Sequence, residues 1–476
     1  MRVLVIEDED EAVSVLRAAL AAVGSNAELL VAANRDEAIS LLQDAAQHFD
    51  AIICDLRIPP NAGGSPDIDF GMQVYRTAVE ELPGTPIRVL SAYGTYEIGG
   101  AVLRDAYRDD PFGDGVSMAM LGAYKKEEIP ELAEEFARLE ASCQSRDDLE
   151  IDAAMDDPEL TVPERKALQT MARRQRGRVA HITLATGGLS ETRVFRVAVA
   201  DERGARQSTV MVKTGPREKI VNENSRYDQY VGSTLPAATF ASKAGTVLAG
   251  AGRTAAIGYV VAEPAERLFD LLARDPGAAA TAVMALRESL GQLVQGAPTE
   301  PLTILQIRAE LASDDEVNGL RDAFPDLPWD EVESKLAHPR RAIVHGDLHG
   351  ANVMVLDGRT PVLIDYGRAG VASATLDPLT LELSLAFHPL AEGARAGWPT
   401  VEQASSWDAV DTYVDDVAVA PFVRQCRAWA LEVRGGERDV LATAYAFVVR
   451  QFRYGTTDRT LARAMLEAIM RRLAET

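Results

Sequence analysis

The feature that most limits what this chain can fold into is the stretch Ile343-Val344-His345-Gly346-Asp347-Leu348-His349-Gly350-Ala351-Asn352-Val353-Met354-Val355, followed by Val362-Leu363-Ile364-Asp365-Tyr366-Gly367. Apolar runs bracket a tight loop, so its polar residues collect at strand ends. Asn352 stands five residues after Asp347, and Asp365 thirteen residues further on at the close of another apolar run. Phosphoryl transfer from ATP needs such a set. One carboxylate orients the attacking hydroxyl and accepts its proton, while an amide and a second carboxylate hold Mg²⁺ against the phosphates. Asp347, Asn352 and Asp365 fit those roles in that order. Polar residues that merely shape turns would not need both spacings at once.

The motif resembles the His-Gly-Asp-x-x-x-x-Asn pattern of aminoglycoside-phosphotransferase-like kinases, relatives of the protein kinases. The resemblance implies a bilobal α+β protein-kinase-like fold over residues 178–476, with an N-lobe at 178–262 and a C-lobe at 263–476. It also implies ATP and Mg²⁺ as cofactors, the metal being held by Asn352 and Asp365. Upstream, strand-like runs Val179–Thr186 and Arg193–Ala200 flank a loop containing Gly187, Gly188 and Ser190. Glycines there let a backbone approach phosphates, and a Ser can donate to them. The third strand, Thr209-Val210-Met211-Val212-Lys213, carries the lysine that such kinases use on ATP phosphates. Glu223, in the helix expected after Pro216, is its expected partner, and Glu218 is the rival. Residues 259–264 read as the hinge. Asp377 is expected either to steady the catalytic loop or to cap the helix that follows it. The helices of residues 377–476, where such enzymes usually build the acceptor site, leave the acceptor open.

The chain opens on another pattern. Arg2-Val3-Leu4-Val5-Ile6 is a continuous apolar run, as in a strand covered on both faces, and Glu7 and Asp8 follow it. Strand and helix signals then alternate, with further strands ending at Asp55 and Ser91, which implies an open parallel sheet with its ligands beyond the C-terminal strand ends. Three carboxylates in one crevice repel one another unless a divalent cation neutralises them, and an all-oxygen site suits Mg²⁺. Residues 1–145 resemble a response-regulator receiver of flavodoxin-like (βα)5 fold. The resemblance implies phosphorylation of Asp55, metal binding by Glu7, Asp8 and Asp55, and a switch made of Ser91 and a lysine. Lys125 is expected to be that lysine, with Lys126 as the alternative. Two insertions depart from the family, Asn61–Asp69 and the segment around Arg108–Gly115, and no aromatic switch residue is evident.

Between these parts, residues 146–177 read as a charged helical linker. Eleven acids and two arginines in 131–160 precede six basic residues in 164–178, so either a solvated helix pair or charge pairing that orients the domains is expected. The net charge of −23 and the lack of a basic cluster exclude a nucleic-acid surface. Three scattered cysteines, no basic signal-like start and no long apolar run point to a reducing, cytoplasmic setting without a membrane span. The whole reads as a two-component response regulator whose output is a phosphotransferase. Its expected partners are a sensor histidine kinase or phosphotransfer protein and a hydroxyl acceptor, with homodimer formation as one route of control. The competing reading is a catalytically silent kinase-like module that binds nucleotide.

Overall fold

The computed structural model describes residues 1–91, 107–153, 159–185, 192–262 and 264–476, without the side chain of Ser91. The chain divides into two compact units. One holds Met1–Asn222 and Lys243–Val260, and the other Glu223–Ser242 and Val261–Thr476.

The first unit begins with strands β1 (Arg2–Ile6), β2 (Glu28–Ala32), β3 (Ala51–Asp55), β4 (Ile87–Ser91) and β5 (Leu121–Lys125). They form one sheet in the order β2-β1-β3-β4-β5, and every pair is parallel. Parallel neighbours need crossovers, and among the described residues α1 (Asp10–Ala22), α2 (Arg35–Gln43) and α3 (Ile68–Glu81) supply three, with α4 (Ile129–Asp147) following β5. The strands are apolar throughout because both faces are covered. Leu4, Ile6, Ile52 and Cys54 pack on one side, and Val3, Val5, Ala51 and Ile53 on the other. The order is that of flavodoxin-like folds, and it places Glu7, Asp8 and Asp55 at one rim.

The same unit continues into a six-stranded sheet. Its strands are β6 (Glu150–Ala153), β7 (Val179–Leu184), β8 (Arg193–Ala200), β9 (Arg206–Pro216), β10 (Ser242–Val247) and β11 (Thr254–Val260), in the order β10-β11-β9-β8-β7-β6. Here the structure departs from a separate linker at 146–177. Helix α4 runs through residue 145 to Asp147, and Glu150–Ala153 joins the sheet parallel to β7. Helix α5 (Val162–Arg174) opens with a Thr161/Glu164 capping box and lays Ala167, Leu168, Met171 and Ala172 on Phe195, Val197, Val210 and Val212. Each fully buried Leu or Met there contributes about 1.5–3 kcal/mol, which is why the segment is structure and not tether.

A buried polar joint ties the two sheets of this unit together. Arg146 donates to Asp50 Oδ1 at 3.2 Å and to the Gly250 carbonyl at 3.2 Å, and Lys166 also pairs with Asp50. Burial would raise the Asp50 carboxyl, but His48, Lys166 and Arg146 hold it well below the usual carboxylate range. The Gly250 amide bonds the Gly84 carbonyl at 2.7 Å. A Cβ on Gly250 would lie 1.9 Å from the Pro111 carbonyl, and φ is +85°, so only glycine fits. The inserted segment therefore has a place. Arg173 donates to the Phe112 carbonyl at 3.0 Å, and Arg174 pairs with Asp109 and Asp110. Two of the basic residues of α5, Lys166 and Arg174, thus pair with acids of the first sheet's domain.

In the second unit, β12 (Ala265–Arg267), β14 (Val353–Leu356) and β15 (Thr360–Leu363) form an antiparallel sheet, and β13 (Arg341–Val344) pairs with β16 (Gly370–Ser373). The remainder is mostly helical, including α7 (Pro276–Val294), α8 (Leu376–Phe387), α9 (Ala420–Val433), α10 (Asp439–Gln451) and α11 (Arg459–Glu475). Helix α6 (Arg217–Arg226) spans the division between the units. A receiver-like parallel sheet followed by a kinase-like α+β region thus agrees with the fold expected from sequence.

Candidate functional sites

The loop between β13 and β14 is held by its own polar groups. Asp377, the second residue of α8, accepts from the His345 amide at 2.8 Å and the Gly346 amide at 2.9 Å. Thr375 occupies the N-cap of that helix, so Asp377 steadies the loop and does not cap the helix. Gly346 has φ +78°, and a Cβ there would stand 2.3 Å from the Arg368 carbonyl, which excludes larger residues. His345 Nε2 donates to the Ile364 carbonyl at 2.9 Å, joining this loop to the strand end that carries Asp365. Tyr366 is buried, accepts from the Ala241 amide at 2.9 Å and packs edge-on against Tyr227.

These constraints fix the three expected residues. Asn352 donates its amide to the Asp347 carbonyl at 3.0 Å, which leaves its side-chain oxygen for a cation. Asp365 is a non-glycine residue at φ +64°, a conformation that costs energy and clusters at working sites. A Cβ on Gly367 would lie 3.6 Å from Asp365 Oδ1 and 3.9 Å from Glu223 Oε2, so Glu223 is buried on α6 beside that acid. Lys213 belongs to the first unit, in mid-strand on β9 between Val194 and Ile257. Gly187, Gly188 and Ser190 lie outside the described residues.

One partner of Asp347 was not foreseen. Arg450, on α10, donates from Nη2 to Asp347 Oδ1 at 2.7 Å. Burial pushes the Asp347 carboxyl up, but Arg450, with smaller effects from His349 and Arg368, brings it down to about 2. The His349 and His388 rings stand 4.5 Å apart near this acid. Burial lowers both, His388 to about 4, so both are neutral at pH 7 and the fixed positive charge is arginine. The sequence did carry a signal for Arg450. Tyr445-Ala446-Phe447-Val448-Val449-Arg450 is an apolar helical run with one charge in it.

At the rim of the first sheet, ligand atoms of Glu7, Asp8 and Asp55 all lie within 4.8 Å of one another. The lysine there is Lys126, not the expected Lys125. Its Nζ lies 2.8 Å from Asp55 Oδ2 and 3.0 Å from Glu7 Oε2. Lys125 is the last residue of β5, and Lys126 opens the short helical turn after it, at the rim where the strand ends meet the acids. Lys125, at the end of β5, is exposed and sends its amide to Glu128 at 2.8 Å. Burial and the Asp55 charge push Glu7 up to about 7 against the pull of Lys126. Burial also raises Asp8. One lysine among three carboxylates leaves excess negative charge, and the donors are all oxygen, so the set fits Mg²⁺. The backbone of Ser91 pairs in register with Lys125, and its side chain lies outside the described residues.

The fold and these two sites define a receiver-like domain joined to a kinase-like α+β region. Residues 214–398 match the sequence profile of the phosphotransferase enzyme family, APH. No curated protein matches the chain. Among solved structures, a CheY-like response regulator receiver domain protein from Methanospirillum hungatei is 16% identical, with 30% of this chain and 96% of that one covered and a TM-score of 0.22. A thermostable mutant of aminoglycoside phosphotransferase APH(4)-Ia is 13% identical, over 62% of this chain and 95% of that one, with a TM-score of 0.35. The aminoglycoside phosphotransferase APH(3'')-Id from Streptomyces rimosus is 14% identical, over 57% and 91%, with a TM-score of 0.33. No helix among the described residues is long and apolar enough to cross a membrane.

Proposed function

We propose that the protein transfers a phosphoryl group from ATP to a hydroxyl acceptor and that phosphorylation of Asp55 regulates this transfer. The observation that carries the first half is the Asp347 loop, whose geometry is locked from both ends by Asp377 and Asn352. Preorganised loops of this kind supply positioning, which is most of what phosphoryl transfer requires of a protein. Asp347 would receive the acceptor hydroxyl and take its proton as the new O–P bond forms. Asn352 and Asp365 would hold Mg²⁺, and Lys213 would bind ATP phosphates. When bound, the metal neutralises charge on the transferred group.

The regulatory half rests on Glu7, Asp8, Asp55 and Lys126. A histidine kinase or phosphotransfer protein would deliver the phosphoryl group to Asp55, and Lys126 would pair with it. A phosphoryl group adds about −1.5 to −2 charge.

The test follows ATP γ-phosphate transfer with Mg²⁺ into a panel of hydroxyl compounds, beside Asp347→Asn. General-base removal is expected to cost about 10³-fold in turnover. A phosphodonor such as acetyl phosphate should change the rate in the wild type and not in Asp55→Asn. The second reading, a catalytically silent module, is favoured by one observation, the closure of Asp347 by Arg450. ATP binding without any transfer that depends on Asp347 would establish that reading instead.

A further inference from the structure

Arg450 is unlike the other buried arginines of its unit. Arg427 donates from all three nitrogens, to Glu382 and the Trp407 carbonyl. Arg308 does the same, to Glu333, Asp314 and the Ala312 carbonyl. Both are saturated structural groups. The Arg450 side chain is only 6% exposed, yet it makes one hydrogen bond, and its Nε and Nη1 are buried without a partner. The Tyr454 phenol stands near enough to support the cation but gives no hydrogen bond of normal geometry. Buried donors left unmade are costly, and native structures retain them mainly where a ligand or a function uses them.

The helix that carries Arg450 is pinned along its length. At its start, Asp439 accepts from Ser373, Thr375 and the Gly435 amide. Further along, Tyr445 donates to Glu333 at 3.0 Å. Asp347 itself is 27% exposed at the side chain, so the carboxylate faces space that a substrate can enter. Exposed Arg368 adds to the positive field on it. A chain of net charge −23 has thus gathered cations at its one candidate base.

We propose that Arg450 reads an oxyanion on the acceptor, so that the substrate is an anionic hydroxyl compound, a hydroxycarboxylate or a phosphorylated polyol, and not a polycation. This rests on Asp347 being the residue that receives the hydroxyl. A hydroxyl on Asp347 and an oxyanion on the adjoining guanidinium place the two groups within a few bonds in the substrate. Guanidinium is weakly hydrated, permanently charged and well suited to oxyanions. As the oxyanion takes over Nη2, Asp347 is released from its ion pair to hold the hydroxyl. The bond from the γ-phosphorus to the β,γ-bridging oxygen of ATP then breaks as the bond to the acceptor oxygen forms, the acceptor proton passes to Asp347, and ADP departs with the bridging oxygen.

The experiment uses the full chain with ATP and Mg²⁺ and matched acceptors: glycerol against glycerol 2-phosphate, sorbitol against gluconate, and kanamycin as the cationic arm. The anionic member of at least one pair should be preferred at least tenfold in kcat/KM, and the winning pair separates phosphate from carboxylate. Arg450→Gln should reduce that preference at least tenfold, and Arg450→Lys should restore part of it. Transfer to kanamycin or to the neutral members with equal or greater preference would overturn the proposal. A second measurement is independent of turnover: inorganic phosphate and acetate binding by calorimetry to wild type, Asp347→Asn and Arg450→Gln. Asp347→Asn should bind at least one of the two anions at least threefold more tightly than wild type, and Arg450→Gln should lose it. Anion binding through Arg450 without any transfer would support the recognition site while removing the phosphotransferase reading. Absence of such binding in Asp347→Asn would sink the inference even if transfer occurs.

Discussion

Asp50 immediately precedes β3 and Asp55 ends it, about 16 Å away at ~3.3 Å per residue, and their surroundings are opposite. Asp50 is buried among Arg146, Lys166 and His48, with more positive charge than it needs. Asp55 shares its rim with Glu7 and Asp8, and Lys126 is the cation paired there. A carboxylate with surplus partners is a finished joint, and three carboxylates around one lysine carry excess negative charge. The difference shows how a receiver can be built rigidly into a sheet at its lower edge while its upper rim stays open to chemistry.

Breaking the joint gives the largest expected effect on stability. Asp50→Ala leaves Arg146 and Lys166 buried without their shared carboxylate, which costs about 3–5 kcal/mol. Denaturant unfolding of the full chain reads this directly. A loss under about 1 kcal/mol would show that the ion pair is peripheral. Because Asp50 is held below its ordinary range, its contribution is present at neutral pH and disappears as pH falls through acid. Asp50→Ala should therefore show its full deficit above about pH 4, begin to lose it only below that, and keep most of it near pH 3.

Close packing at the same joint gives the next effect. Gly250→Ala drives a Cβ into the Pro111 carbonyl at a left-handed φ, and about 3 kcal/mol or more is expected. Gly24→Ala has a similar φ of +77° but meets nothing within 4 Å, so about 1 kcal/mol is expected. Equal effects at the two positions would mean that the inserted segment gives way, and the rigid joint would be lost from the argument. At the opposite end, Lys126→Ala should cost about 2–3 kcal/mol by uncovering Glu7 and Asp55. Lys125→Ala should stay within about 0.5 kcal/mol, and the reverse ranking would restore the lysine expected from sequence.

What was legible in the chain follows from how local each signal is. Asp347, Asn352 and Asp365 lie within one strand-loop-strand segment, so their spacing alone brought them together. The parallel sheet was legible because apolar runs and helical periodicity alternate. The choice between Lys125 and Lys126 turned on where β5 ends and the next turn begins, which the expected start of the last helix does not fix to one residue. Glu150–Ala153 is too short to show a period, and it reads as a strand only once β7 lies beside it. The Asp50 joint unites residues 96 and 116 positions apart in the chain, with no local pattern to announce it. Arg450 is 103 positions from Asp347, and its helix face becomes meaningful only when α10 is packed.

The smallest expected effect concerns the open rim. Glu7 is raised from 4.5 to about 7, so between those values the folded chain holds a proton that the unfolded chain releases. Stability from this group therefore falls as pH rises from about 4.5 to 7 and is level above that. A divalent cation needs the carboxylate bare, so Mg²⁺ competes with that proton. Apparent Mg²⁺ affinity should weaken about tenfold from pH 8 to pH 6, measured by calorimetry, and stay flat above pH 8. In Glu7→Gln that dependence should vanish, because the titrating group is gone. Stability lost to Glu7 ionisation should return on adding Mg²⁺ at pH 8 and hardly at all at pH 5. If Mg²⁺ instead bound with equal affinity at pH 6 and 8, Glu7 would already be ionised by Lys126, and the two ends of β3 would be equally well paired.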